Sequence, residues 1–126
     1  ITRWAILIDL SQRRVDVFHS GRRVESFHAV VGKPSTPTPE GRFFVEEWLR
    51  ITPGAAGGPF ALALSARSNV FQEFEGGPGQ VALHGIYRIG GTPGTAVSHG
   101  CIRLESFAMT WLGTHIHGGV PVTITR

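Results

Sequence analysis

The sequence predicts a mainly β domain with one amphipathic helix following its only cysteine. Three observations carry this expectation. The 17 Gly and 8 Pro make up about a fifth of the 126 residues, a loop-rich proportion that still lies below the low-complexity range. Short β-branched or alternating runs recur between those turn residues. One stretch near the C-terminus repeats its apolar residues at helical spacing. With 41% hydrophobic and 17% charged residues, the composition is that of a globular chain and not a disordered one. The length suits one domain over residues 1–126.

Taken in order, Trp4 to Leu10 is aliphatic and β-branched and reads as a strand. Arg14 to Phe18 alternates and reads as a second, and Ser20-Gly21 turns the chain into a third over Val24 to Val31. These three form an antiparallel set. Gly32 to Gly41 carries Pro34, Pro37 and Pro39, which forbid regular pairing and stiffen a loop. Arg42 to Ile51 resumes strand character, with Phe43, Phe44 and Val45 as core candidates, and Thr52 to Pro59 is again a loop. Phe60 to Ala66 and Val81 to His84 are short apolar strands separated by the glycine-rich Glu75 to Gln80. Tyr87 to Val97 contains Gly90, Gly91, Pro93 and Gly94 and is a further loop. Leu104, Phe107, Ala108, Trp111 and Leu112 fall on one helical face, with Gly113 as the stop. Val120 to Thr125 closes the chain as a strand.

Several function classes recede on composition. No window approaches the ~18 consecutive apolar residues of a membrane span. The first ten residues carry Arg3 and Asp9 and no cleavage pattern, so they are not a signal peptide. The chain is expected to be excised from a longer protein, with any targeting or anchoring segment elsewhere. The net charge of +3 is spread out, with Arg13, Arg14, Arg22 and Arg23 flanking a turn, and no nucleic-acid motif accompanies it.

The chemistry concentrates around Cys101. A lone cysteine forms no internal disulfide, so it is either a buried small hydrophobe or a working thiol. His84 stands 17 positions upstream, across a flexible segment that lets the two side chains meet. A thiol of pKa ~8.5 is mostly protonated at neutral pH, and a neighbouring histidine takes its proton. A helix N-terminus just after the cysteine would favour thiolate through its N–H groups and dipole, and the same groups could hold an oxyanion. Gly100, just before the cysteine, suits a tight or positive-φ backbone. Spacing alone leaves a packing cysteine open. Zinc is a second alternative, with His84, His99, Cys101, His115 and His117 as candidate ligands, but a single soft ligand without a C-x-x-C pair is a weak basis for it. His115 and His117 read as surface residues after the helix.

His84-Gly85, followed by a glycine-rich loop and Ser98-His99-Gly100-Cys101-Ile102-Arg103, closely resembles the signature of the L,D-transpeptidase (YkuD-type) catalytic domain. Val31-Gly32-Lys33-Pro34 with Thr36-Pro37-Thr38-Pro39-Glu40-Gly41 looks like that family's threonine–proline loop, and Ile8 to Val15 resembles its opening strands. The resemblance covers essentially the whole chain. It implies a β-sandwich-like fold and an enzyme that cross-links peptidoglycan. Such an enzyme attacks the L,D bond of a tetrapeptide stem, releases D-alanine and passes the acyl group from a cysteine thioester to an amine, giving a 3→3 cross-link. Carbapenems acylate the same cysteine. Relatives hydrolyse the thioester instead, as L,D-carboxypeptidases, and a non-catalytic peptidoglycan-binding module is the rival of another class.

Carried over residue by residue, Cys101 matches the nucleophile and His84 the general base, with the Gly85 carbonyl orienting the imidazole. His99 lines the site or helps hold the donor. The N–H groups of Gly100 and Cys101 are the oxyanion-hole candidates. Ser98, Arg103 and Tyr87 are candidate substrate-binding residues, each with a structural role as the alternative: a hydrogen bond within the turn for Ser98, a brace for Arg103, packing for Tyr87. No cofactor or metal is implied. The place of action is expected to be extracytoplasmic, in periplasm or cell wall, with membrane contact only through an anchor segment outside this sequence. No substrate-binding module accompanies the domain, and the Tyr87–Val97 segment implies a small lid.

Overall fold

The computed structural model describes residues 2–67, 73–74, 77–78 and 80–126. Strands β1 (Trp4–Asp9), β2 (Arg14–His19) and β3 (Arg22–His28) form the expected antiparallel set. Ser20 and Gly21 turn the β2–β3 hairpin with φ of 52° and 79°, the double positive φ that matches the twist of the flanking strands. Short β4 (Val31–Gly32) precedes the proline loop, which is free of strand as expected. β5 (Gly41–Arg50) and β6 (Phe60–Arg67) pair antiparallel, and β7 (Glu73–Phe74) pairs with β8 (Gly77–Pro78). Glu75, Gly76 and Gly79 of the expected loop lie outside the described residues. β9 (Gln80–Gly85), β10 (Ala96–Ser98), β11 (Ile102–Leu104), helix α1 (Ser106–His115) and β12 (Pro121–Thr125) complete the order.

Eight strands make one sheet in the order β11-β9-β6-β5-β12-β1-β2-β3, with β10 and β4 paired separately. The β1/β12 and β9/β11 pairs are parallel. The two edges of this sheet come together. Val30, just past β3, exchanges backbone bonds of 2.8 and 2.9 Å with Arg103 of β11. The sheet therefore curls over itself into a sandwich-like, nearly closed barrel, which satisfies edge groups that a flat sheet would leave unpaired.

The core follows the two-residue period of the strands. Ile6 and Ile8 of β1, Val15 and Val17 of β2, Leu62 and Leu64 of β6, and Val122 and Ile124 of β12 all point inward. On β5 the alternation selects Val45, which is buried, while Phe43 is half-buried and Phe44 is 48% exposed. Of the three core candidates on that strand, one is therefore in the core.

The helix differs from the expectation in two ways. Leu104 belongs to β11 and not to the helical face, because its carbonyl accepts the Ile86 N–H at 2.9 Å. The buried helical residues are Ala108, Met109, Leu112 and Gly113, and Phe107 is 65% exposed. The inward face is thus rotated by about one residue from the expected one. Gly113 is not the stop either. It lies inside α1, where a Cβ would overlap the Phe60 ring, and its carbonyl accepts the Trp48 indole N–H at 2.8 Å.

Two effects oppose each other at that glycine. Replacing Gly by Ala inside a helix normally stabilises by about 1 kcal/mol. Overpacking a filled core costs about 1–3 kcal/mol. Because the clash is with ring atoms near the Phe60 stem, overpacking wins. Gly113→Ala is expected to lower the unfolding free energy by about 1 kcal/mol or more, and denaturant unfolding of the two proteins measures it.

Candidate active site

Parallel pairing of β9 with β11 builds the centre of the site. Its register sets Ile102 against Leu83, Arg103 against His84 and Leu104 against Gly85. Partnered residues project from the same face, and so do alternate residues along each strand. Leu83, Ile102 and Leu104 enter the core. His84 and Arg103 share the opposite face with Ala82. The Ala82 backbone N–H bonds the Cys101 thiol, which ties the sulfur to β9. On β6, Ala61 and Ala63 pair with His84 and Ala82. Three alanines thus floor the site, leaving room that the leucines between them fill on the core side.

His84 is 4% exposed. Its Nδ1 lies 2.9 Å from the Gly85 carbonyl oxygen. A carbonyl only accepts, so Nδ1 carries the proton and Nε2 carries the lone pair. Burial pushes the imidazole pKa down, the Gly85 bond pushes it up, and the Arg103 charge pushes it down again, with burial prevailing. Gly85 has no room for a side chain, since a Cβ there would overlap the Gly58 carbonyl. Cys101 is half-buried and unbridged. Burial pushes its thiol pKa up, while the Ala82 N–H and the Arg103 guanidinium pull it down. The net directions favour a neutral thiol and a neutral imidazole.

A buried clasp holds the turn that carries the thiol. Lys33 N–H and Thr36 Oγ1 both donate to the Ser98 carbonyl, at 2.9 and 3.1 Å. Thr38 Oγ1 donates to the Gly100 carbonyl at 2.8 Å and accepts the Gly32 N–H at 3.0 Å. Ser98 Oγ donates to the Cys101 carbonyl at 2.6 Å and accepts the Gly100 N–H at 3.0 Å. Gly100 takes φ of 120°, which L side chains rarely adopt.

Three expectations are corrected here. Ser98 is fully buried, so it braces the turn and offers no surface to a substrate. The Gly100 N–H is spent on Ser98 Oγ, which removes it as an oxyanion donor. The helix N-terminus does not reach the thiol, because β11 stands between Cys101 and Ser106. The remaining residues fall as follows. His99 is exposed beside the turn. Arg103 reaches the Gly90 carbonyl at 3.3 Å and so braces the Tyr87–Val97 loop while its charge acts on the thiol. Tyr87 is 45% exposed, under the Arg88 guanidinium, and walls a cavity of about 320 Å³ shared with Arg50, Phe60 and Ser106. Neither Cys101 nor His84 lines that cavity. His115 stacks on Trp111 with ring centroids 4.0 Å apart, and His115 and His117 are both exposed. Among the described residues, no three His, Cys, Asp or Glu side chains gather as a metal-holding group. The hydroxyls of Thr36 and Thr38 escaped residue-level reading, and their signal was the alternation of Thr with Pro in the loop.

Known proteins resemble the chain over nearly its whole length. Residues 3–124 match the family model of the L,D-transpeptidase catalytic domain. The YkuD protein of Bacillus licheniformis is 28% identical over 122 residues, covering 97% of this chain and 66% of its own. L,D-transpeptidase 3 from Mycobacterium tuberculosis superposes with a TM-score of 0.77 at 19% identity, over 98% of this chain and 61% of its own. That protein has also been solved with a faropenem-derived adduct. An L,D-transpeptidase in complex with imipenem superposes with a TM-score of 0.72 at 24% identity, over 98% of this chain and 59% of its own. The chain thus spans somewhat under two thirds of the relatives it matches. With the family match running from the third residue to the third from last, the chain belongs to the L,D-transpeptidase catalytic-domain family.

Proposed function

We propose that the chain is a peptidoglycan L,D-transpeptidase with Cys101 as nucleophile and His84 as general base. The observation that carries this reading is the His84 tautomer. The Gly85 carbonyl holds Nδ1–H, so Nε2 is the atom that takes a proton, and the thiol is tied to the same strand two residues back by the Ala82 N–H. In the first half-reaction the thiol proton passes to Nε2 as sulfur bonds the carbonyl carbon of the third stem residue. The tetrahedral oxyanion collapses, the C–N bond breaks, and the proton returns to the departing D-alanine. In the second half-reaction an acceptor amine attacks the thioester and gives its proton to Nε2. The C–S bond then breaks and the thiol is regained. The product is a 3→3 cross-link. Water in place of the amine gives a carboxypeptidase outcome from the same thioester.

Arg103 and exposed His99 supply polar contacts for the stem peptide, and Tyr87 an outer wall. A sequence pI near 10.0 suits an anionic wall polymer outside the cytoplasm. The adducts of structural relatives support a β-lactam partner acylating Cys101.

Intact-protein mass after incubation with imipenem tests this reading. One adduct on wild type and none on Cys101→Ala is expected, and an adduct that survives in Cys101→Ala would disprove the nucleophile. His84→Ala should reduce turnover of a stem tetrapeptide by at least about 10²-fold, and full activity in that variant would remove His84 as base.

The thiolate is the reactive form of Cys101, so iodoacetamide alkylation should rise with pH along a limb that burial places above the ordinary thiol range. The Arg103 charge favours thiolate. Arg103→Ala should therefore move the limb to higher pH, and Arg103→Lys should largely restore it. A limb unmoved in Arg103→Ala would show that the guanidinium does not act on the thiol.

A further inference from the structure

We infer that Thr38 is a positioning residue that aims the Cys101 N–H at the oxyanion of the acyl-transfer step, an inference that rests on the acyl-transfer reading of Cys101. Thr38 is 4% exposed and lies 62 positions before Gly100, whose carbonyl it touches. Its hydroxyl is oriented from both sides. Oγ1 accepts the Gly32 N–H at 3.0 Å, so its own proton goes to the Gly100 carbonyl at 2.8 Å. Gly32 permits this approach, because a Cβ there would stand 2.6 Å from the Thr38 nitrogen and 2.5 Å from the Thr36 oxygen.

The Gly100 carbonyl and the Cys101 N–H belong to one trans peptide plane and point in opposite directions. Fixing the carbonyl therefore fixes the N–H. β11 has the Val30 bridge on one side and β9 on the other. The Thr38 loop continues from the Val30 side, so a carbonyl held toward the loop turns the Cys101 N–H toward the β9 flank, where the thiol and His84 stand. Ser98 Oγ already holds the planes before and after, through the Gly100 N–H and the Cys101 carbonyl. Thr38 holds the plane between them. With the Gly100 N–H engaged by Ser98, the Cys101 N–H is the oxyanion donor this turn has to offer, and Thr38 sets its direction.

The experiment compares two reactions of Cys101 in wild type, Thr38→Val and Thr38→Ser. Acylation by imipenem passes through an oxyanion, and alkylation by iodoacetamide does not. Loss of an oxyanion donor costs about 10²–10³ in rate, so a donor left present but unaimed should cost about tenfold or more. Thr38→Val is expected to lose that factor in maximal acylation rate, with the half-saturating imipenem concentration and the alkylation pH profile unchanged. Thr38→Ser, which keeps the hydroxyl, should recover the rate. Wild-type acylation by Thr38→Val would overturn the inference. So would a parallel fall of acylation and alkylation, which would mark a merely structural loop. If wild type is alkylated but acylated neither by imipenem nor by a stem tetrapeptide, the acyl-transfer reading fails and this inference with it.

Discussion

The register of the β9–β11 parallel pair is the constraint on which the site depends. One face of that pair is core, with Leu83, Ile102 and Leu104 buried in it. A one-residue slip of β11 would drive Ile102 and Leu104 outward and bring Arg103 inward. Each large aliphatic side chain stabilises by about 2 kcal/mol when buried, and an ionisable group without its partners costs several more. The same packing that stabilises the sheet thus sets the face on which His84 and Arg103 stand. The alternation of leucine with alanine along Ala61-Leu62-Ala63-Leu64 serves both sides at once, bulky toward the core and small beneath the site.

Burial acts against the chemistry as well as for it. Removing the thiol and the imidazole from water favours the neutral form of each. Arg103 and the Ala82 N–H offset this at the sulfur, and neither is a helix terminus. The thiol and the imidazole are therefore each favoured as neutral groups, and in the proposed reaction charge appears only when the proton moves from sulfur to Nε2 and the oxyanion forms. A low-dielectric pocket strengthens fixed dipoles at that moment. Arg103 connects the site to its surroundings, because one guanidinium bonds the Gly90 carbonyl while its strand pairs with Val30 and β9.

Backbone approach explains the glycines near the site. Gly85 and Gly32 lie where a Cβ would meet another chain segment, and Gly100 has a backbone angle that other residues rarely adopt. Side-chain hydroxyls then satisfy the carbonyls and N–H groups that such an irregular turn exposes. Buried backbone groups without partners would cost about 1–3 kcal/mol each. Thr36, Thr38 and Ser98 meet that demand, and in doing so they fix successive peptide planes from Ser98 to Ile102.

Much of this was legible in the chain. The three opening strands, the β5–β6 pair, the closing strand and the proline loop follow from short-range pattern, because period-two alternation and Gly or Pro punctuation are local properties. Cys101, His84 and Gly85, the residues proposed for the chemistry, stand out in residue type and order. The helix boundary was misread at Leu104 and Gly113, since a strand edge and a ring contact outweighed helical spacing. Ser98, Gly100 and the helix dipole were misassigned for a related reason. Their roles depend on which donor meets which acceptor inside the 98–101 turn, whose irregular shape is held by the threonine loop 62 positions away. Sequence by itself determined which groups this protein can use, because side-chain chemistry and strand periodicity are written residue by residue. Which N–H groups are already engaged and which strand the thiol is tied to are settled only in three dimensions, because register and long-range hydrogen bonds exist only once the sheet has closed.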